Sequence, residues 1–324
     1  MSLHKYGIAT DQAQQCVAFY LCDNFNMLPF ISAMEPLRIA NRRAGKALYQ
    51  WVLITADGES VVASNGMVQT ANFSIDSAPN FDMVFVAGPF EPSDFNHPPT
   101  LNWLKQQARE NALVGGLETG CHILAKAGLL NNVKCTTHWE NMDQFTQDFP
   151  KHDVNAEVYE VDNNRVTCSG GAAPLDMMLY LIEETHGHEL AASVADSMIH
   201  PYIRSPGEPQ RMNLQARIGV NHPTLLECIE LMEANVEEPL TPNELADLTK
   251  VSKRQVERLF QRYLNITPGR YYLSLRLEAA HQLLQTTTIK VVEAALACGF
   301  KSSGHFSNCY QSRFGATPRE SRKQ

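Results

Sequence analysis

The sequence predicts two units of different class: an α/β unit built on a mostly parallel sheet, then an all-α unit carrying two helix-turn-helix motifs. Three observations predict it. Through about the first two hundred residues, near-continuous apolar runs alternate with amphipathic segments, the pattern of strands covered on both faces by helices. Over roughly the last eighty, a helix-turn-helix signature occurs twice, joined by one amphipathic helix. Charge divides the chain in the same way: residues 239 to 324 hold thirteen Lys and Arg against six Asp and Glu, a balance of +7, so the remainder carries −15 of a total of −8.

In the first unit, Val17-Ala18-Phe19-Tyr20-Leu21 reads as a strand and is followed by a helix holding Ile31, Met34, Leu37 and Ala40. Trp51-Val52-Leu53-Ile54 is a second strand, and Met83-Val84-Phe85-Val86-Ala87 a third, followed by a helix around Leu101 to Asn111. A fourth runs through Ala112 to Leu117, with a helix from about Gly120 to Ala127. Ligands of such sheets bind beyond the carboxyl ends of the strands. Three of those ends carry marked turns: Asp23-Asn24-Phe25-Asn26, Gly88-Pro89-Phe90-Glu91-Pro92 and Glu118-Thr119-Gly120-Cys121-His122. The last is a tight strand-to-helix turn with flanking glycines, the geometry of a nucleophile elbow. Pro201, Pro206-Gly207 and Pro209 among polar residues mark 201–222 as a connector between domains at 14–200 and 223–322.

In the second unit, Thr241 is an N-cap with Pro242 at the first helical position and Glu244 three residues on. Lys250-Val251 break the helix and Ser252 caps the next. Leu245, Leu248, Val251, Val256, Leu259 and Phe260 recur at helical spacing and form a shared core. That leaves Ser252, Lys253, Arg254, Gln255, Glu257 and Arg258 at the start of the second helix, where long polar side chains reach base edges. The second copy runs from Ile289 to Phe300, closed by Gly299, and reopens at Ser302. Its corresponding outward residues are Lys301, Ser302, Ser303, His305 and Asn308. Gly304 falls inside this second reading helix, where Gly costs about 1 kcal/mol relative to Ala. Between the copies, Tyr272, Leu275, Leu277, Ala280, Leu283 and Leu284 form one apolar stripe after Pro268. A continuous helix there sets the two readers into successive major grooves, about 34 Å apart. Glu227, Glu230, Glu233, Glu237 and Glu238 form a solvated acidic face near the start of the unit.

The basic charge coincides with the two motifs, as phosphate neutralisation requires, and the acidic remainder discourages adhesion to DNA elsewhere. Eight cysteines form no CxxC pair and no metal-ligand cluster, so they read as reduced thiols, with neither metal nor cofactor. No apolar run approaches a membrane span and Met1–Tyr6 lacks a signal-peptide pattern, so a cytoplasmic protein without membrane contact is expected.

Residues 223 to 322 resemble the DNA-binding domain of AraC/XylS-type transcription regulators. Cys298-Gly299-Phe300 through Phe306, with Phe314-Gly315-Ala316-Thr317-Pro318, carries the likeness. Residues 14 to 200, with the elbow, Leu124–Leu130 and Thr136-Thr137-His138-Trp139-Glu140, resemble the class I glutamine amidotransferase-like domain of PfpI-type proteins, which implies a flavodoxin-like fold. Glu35–Asn41, Thr167–Gly171 and Leu175–Leu179 are similar to the subgroup governing catabolism of glycine betaine, carnitine and related amines or amino acids. The resemblance implies operator DNA, a small-molecule effector and RNA polymerase as partners, a homodimer assembled through the first domain, and activation of a catabolic operon.

In catalytic relatives the elbow residue is Cys and the first strand turn carries an acid. Here the elbow holds Glu118, Cys121 lies three residues on, and Asn26-Met27-Leu28-Pro29 supplies no acid. A sensor without catalysis is therefore expected, the alternative being a DNA-tethered cysteine hydrolase or glyoxalase-like enzyme acting through Cys121. Glu118 has two readings: a tolerated helix-start carboxylate, or the anion that anchors a cationic ligand. In the second reading Asn26 and Thr119 lie beside the ligand, and aromatic walls come from among Phe25, Phe90 and Trp139. His138 reads as a core residue, and Arg38 with Asp176 as a structural ion pair.

Overall fold

The computed structural model describes residues 14–287 and 289–322; Met1–Tyr6 lie outside them. It divides into two compact units, one ending at Gln210 and the other beginning at Arg211.

The first unit runs β1 (Gln15–Leu21), α1 (Met27–Ala44), β2 (Tyr49–Thr55), β3 (Val61–Val62), β4 (Val68–Gln69), β5 (Phe73–Ser74), β6 (Met83–Ala87), α2 (Pro98–Arg109), β7 (Leu113–Leu117), α3 (Gly120–Lys126), β8 (Lys134–Thr136), α4 (Met142–Asp148), β9 (Asp153–Asn155), β10 (Tyr159–Asp162), β11 (Arg165–Cys168), α5 (Ala173–His186) and α6 (His188–Ser197). Seven strands form one sheet in the order β10-β11-β7-β6-β1-β2-β5, parallel throughout except for β10 with β11. The apolar runs have this cause: a central strand is buried on both faces. From β1, Val17, Phe19 and Leu21 pack with Phe30, Leu37 and Met177, while Ala18 and Tyr20 pack with Trp103, Leu104 and Ile123 on the opposite side. Because β2 lies on one side of β1 and β6 on the other, the loops leaving β1 and β6 diverge and open a crevice at the strand ends. The end of β7, next to β6, borders it.

Two expectations are corrected here. Arg38 pairs with Glu35 one helical turn away (2.6 Å), not with Asp176. Asp176 is fully buried and accepts from His200 Nε2 (2.7 Å) and from Arg204 N and Nε (2.9 and 2.8 Å). A buried carboxylate needs donors, and His200 together with Arg204 of the Pro- and Gly-containing stretch read as connector supplies them. That stretch is anchored again where Val158 N donates to Glu208 O (2.9 Å).

The second unit comprises α7 (Leu214–Ile218), α8 (Pro223–Ala234), α9 (Pro242–Leu248), α10 (Lys253–Leu264), α11 (Pro268–Thr286), α12 (Val291–Ala297), α13 (Ser303–Phe314) and α14 (Pro318–Ser321). It has two small cores. One gathers Leu225, Ile229, Leu245, Val256, Leu259, Phe260 and Tyr272; the other gathers Leu277, Ala280, Leu284, Ala294, Phe300, Phe306 and Tyr310. The stripe on α11 therefore serves both, Tyr272 facing the first and Leu277, Ala280 and Leu284 the second. Within the expected acidic face, Glu233 is not free but pairs with Arg217 (2.8 Å). Among the described residues no helix is long and apolar enough to cross a membrane, and no three His, Cys, Asp or Glu side chains gather as a metal site.

Candidate nucleic-acid interface and strand elbow

The first motif is built from caps inward. Thr241 Oγ1 accepts from Glu244 N (3.3 Å) and the Glu244 carboxylate accepts from Thr241 N (2.8 Å), a reciprocal cap that holds this carboxyl below its ordinary range. After α9 the chain turns through Lys250 at φ +54°. Ser252 Oγ then accepts from Gln255 N (3.3 Å) to start α10. Val256, Leu259 and Phe260 are buried, which turns Lys253, Arg254, Glu257 and Arg258 outward; Gln255 is half-buried. Leu248, expected in the core, is 51% exposed: the last turn of α9 meets that core through Leu245 and Ala246, and Leu248, the final residue of the helix, falls outside it.

The second motif repeats the plan with a different turn. Gly299 has φ +73°, and a Cβ at that position would stand 2.6 Å from Pro239 Cδ and 2.8 Å from Glu237 O. Glycine is thus required twice, by the backbone conformation and by the chain that crosses over it. Ser302 Oγ accepts from His305 N (3.4 Å). Phe306 and Tyr310 are buried, leaving Lys301, Ser302, Ser303, His305 and Asn308 exposed, with the His305 ring 3.7 Å from Cys309 Sγ. Gly304 falls in the first turn of an unbroken α13, where a Cβ would meet nothing nearer than Ser302 Oγ at 4.0 Å. The softening expected of an interior glycine is therefore confined to the helix start. Arg276 of α11 braces this half: its Nε donates to Cys298 O (2.8 Å) and its guanidinium lies 4.2 Å from the Phe300 ring centre.

At the end of β7, Glu118 adopts φ +54°, the left-handed conformation of a strained elbow. Gly120 allows it: a Cβ there would lie 2.0 Å from Val86 O, so the turn sits against β6 with no room for a side chain. The Glu118 carboxylate is nearly buried. Asn26 Nδ2 donates to both of its oxygens (3.2 and 3.1 Å), and Gly170 leaves it space, since a Cβ there would stand 2.5 Å from Oε2. Burial pushes its pKa up, with the Asn26 and Gly171 hydrogen bonds opposing. Thr119 is buried and its hydroxyl donates to Pro89 O (2.8 Å). Phe90 is 61% exposed and Trp139 is half-buried, its ring centre 5.6 Å from that of His138. Phe25 is not a wall: it is fully buried, edge-on to Phe30 in the core, because its backbone pairs with Pro89 and turns the ring inward. His138 is half-buried instead of in the core, and desolvation lowers its pKa.

Cys121 is fully buried inside α3, its Sγ 3.4 Å from Gly116 O, and burial raises its thiol well above the ordinary value. Such a thiol is neither exposed nor ionised. Gln210, which carries no signal in sequence, links to the 136–139 loop beside the elbow: Oε1 accepts from Trp139 N and Nε2 donates to Thr137 O, both at 2.8 Å.

Residues 15–184 match the DJ-1/PfpI family and residues 245–324 a helix-turn-helix domain. The chain is 43% identical over 309 residues to the HTH-type transcriptional regulator GbdR of Pseudomonas aeruginosa, covering 95% of this chain and 84% of that one. It is 36% identical over 311 residues to the HTH-type transcriptional regulator GlxA of Rhizobium meliloti, covering 96% of both. In fold, the first unit is similar to a crystal structure of an AraC family transcriptional regulator from Pseudomonas putida, at 24% identity and a TM-score of 0.53 over 57% of this chain and 99% of that one. With relatives of 36 to 43% identity along nearly the whole chain and a family match over residues 15–184, the protein belongs to the DJ-1/PfpI family as an AraC-type, DNA-binding transcriptional regulator.

Proposed function

We propose that this regulator is governed by a small cationic effector, an amine, betaine or amino acid, held at the elbow by Glu118, and that the first unit is a sensor without catalysis. The observation that carries the reading is a nearly buried carboxylate on the strained position of the elbow, beside a cysteine that is buried and un-ionised. A nearly buried carboxylate flanked by aromatic rings is suited to an ammonium or quaternary ammonium group, and Phe90 and Trp139 are the rings proposed for that role. The residues proposed to hold it are Glu118, Asn26, Thr119, Trp139 and Phe90. Ser252, Lys253, Arg254, Gln255, Glu257 and Arg258 of the first motif and Lys301, Ser302, Ser303, His305 and Asn308 of the second are proposed to contact operator DNA. Residues 14–200 are assigned to sensing and dimerisation and 223–322 to DNA binding. The complex formed on DNA recruits RNA polymerase to a catabolic operon in the cytoplasm.

The test is a thermal-shift screen of the full chain against betaines, carnitine, basic amino acids and polyamines, followed by titration calorimetry with any compound that stabilises it. Glu118→Gln is expected to weaken binding by about 1.5 to 3 kcal/mol, the range of a hydrogen bond to a charged group, with DNA affinity in the absence of effector little changed. Equal affinity for both proteins removes Glu118 as the anchor. Cys121→Ala is expected to leave the response intact, and turnover of an amide or aldehyde that this substitution abolishes overturns the sensor reading.

A further inference from the structure

Gln210 is the last residue of the first unit, and Arg211 opens the second. Its side chain is committed at both ends. The two N–H groups of Nε2 are shared among Thr137 O (2.8 Å), Glu157 O (3.0 Å) and Thr136 Oγ1 (3.0 Å), and Oε1 accepts from Trp139 N (2.8 Å). The loop it grips reaches the elbow, since Thr137 Oγ1 donates to the Glu118 carbonyl (3.4 Å), and both threonines are fully buried. One residue, Thr137, therefore stands between Glu118 and the residue at the unit boundary. The preceding chain is held alongside, with Pro209 bridging to Glu157 and the Glu208 carbonyl bound by Val158 N. The earlier anchor of this stretch is Asp176 on α5, which takes up His200 and Arg204.

We infer that Gln210 is the positioning residue through which the state of the elbow reaches the DNA-binding unit: it ties the exit of the first unit to the 136–139 loop, so that a change at Glu118 moves the start of the second unit with it. The biological meaning of this link rests on the reading of Glu118 as effector anchor; its physical content does not. The amide is suited to the place because one planar group must donate to two carbonyls and accept from one N–H. Glutamate there turns a second acceptor onto Thr137 O and Glu157 O, and alanine leaves all four partners without it.

Amide hydrogen exchange on the full chain tests the link without any effector, using the wild type, Glu118→Gln, Gln210→Ala and the double variant. In Gln210→Ala the Trp139 amide is expected to exchange about tenfold faster, as the loss of one well-made hydrogen bond requires. Glu118→Gln is expected to change exchange at Ala216 and Arg217, whose amides are held by Asn213 at the start of α7, by about threefold or more. In the Gln210→Ala background that change is expected to vanish. Gln210→Glu, which preserves size, is expected to give the same uncoupling and guards against a packing effect of alanine. A Glu118→Gln effect on Ala216 and Arg217 that is absent in the wild-type background, or equally large without Gln210, overturns the inference. Failure of the effector screen sinks the reading of Glu118 as an anchor and leaves this outcome readable.

Discussion

The two helix-turn-helix motifs reach one shape by different turns. In the first, the left-handed position is occupied by Lys250, and in the second by Gly299. The difference follows from what lies overhead. Glu237 and Pro239, which lead from α8 to α9, pass against Gly299 and leave no space for a Cβ. The second turn is therefore locked under the entrance to the first motif, so the motifs are joined by this crossing as well as by α11. Their outward faces differ too: α10 exposes Arg254 and Arg258, whereas the opening turns of α13 expose Ser303, His305 and Asn308. A motif repeated in sequence need not be repeated in tolerance or in chemistry.

The largest expected effect breaks the second turn. Gly299→Ala combines left-handed strain with a clash against Pro239 and Glu237, and is expected to destabilise the second unit by about 3 kcal/mol or more in urea denaturation. A loss below about 1 kcal/mol would mean the crossing segment yields, and the asymmetry between the turns would be lost. Next in size are the changes at the outward residues proposed to contact DNA. Arg254→Ala or Arg258→Ala is expected to relax preference at one or two operator positions by about 1 to 3 kcal/mol each, while Lys253→Ala weakens all sequences alike and lowers the salt dependence by about one counterion. Selection from randomised duplexes at two salt concentrations measures both. If base preference survives both arginine changes but disappears with His305→Ala and Asn308→Ala, the ranking of the helices is reversed. Tyr272→Phe removes a hydroxyl that donates to Asn235 O (2.5 Å) and accepts from Leu240 N (3.2 Å), both near the first core. The cost is expected to be about 1 to 1.5 kcal/mol, and an unchanged midpoint would show those groups satisfied by water. The smallest change is a gain: Lys250→Gly relieves left-handed strain and is expected to stabilise by about 0.5 kcal/mol, after the greater unfolded-state entropy of glycine. A loss of stability there would reveal a role for the lysine stem that its exposure conceals.

Most of the architecture was legible because it rests on local chemistry. Apolar runs named β1, β2, β6 and β7 to within two residues, and Thr241, Ser252 and Ser302 cap the helices they were expected to open. What escaped were long-range partners. Arg38 and Asp176 both have structural roles, but sequence gives no means of assigning Glu35 to one and His200 with Arg204 to the other. Phe25 carries the right residue type for a wall, and only the backbone pairing with Pro89 turns it into the core. Gln210 was invisible for a related reason: a single glutamine between Pro209 and Arg211 has no periodicity, and its four partners lie between 53 and 74 residues away.

One residue of the elbow helix ties the stability of the first unit to acidity. His122 follows Cys121, packs edge-on to Phe145, and neither ring nitrogen has a hydrogen-bond partner among the described residues. Burial lowers its pKa from 6.5 to about 3, so the folded chain keeps the ring neutral where the unfolded chain takes up a proton. The stability this confers is complete above about pH 6.5 and drains away as pH falls toward 3, by up to about 1.4 kcal/mol per unit. The first unit thus carries a built-in limit on the acidity in which it stays folded, and His122→Phe, which keeps a ring and discards the titration, is expected to flatten that slope.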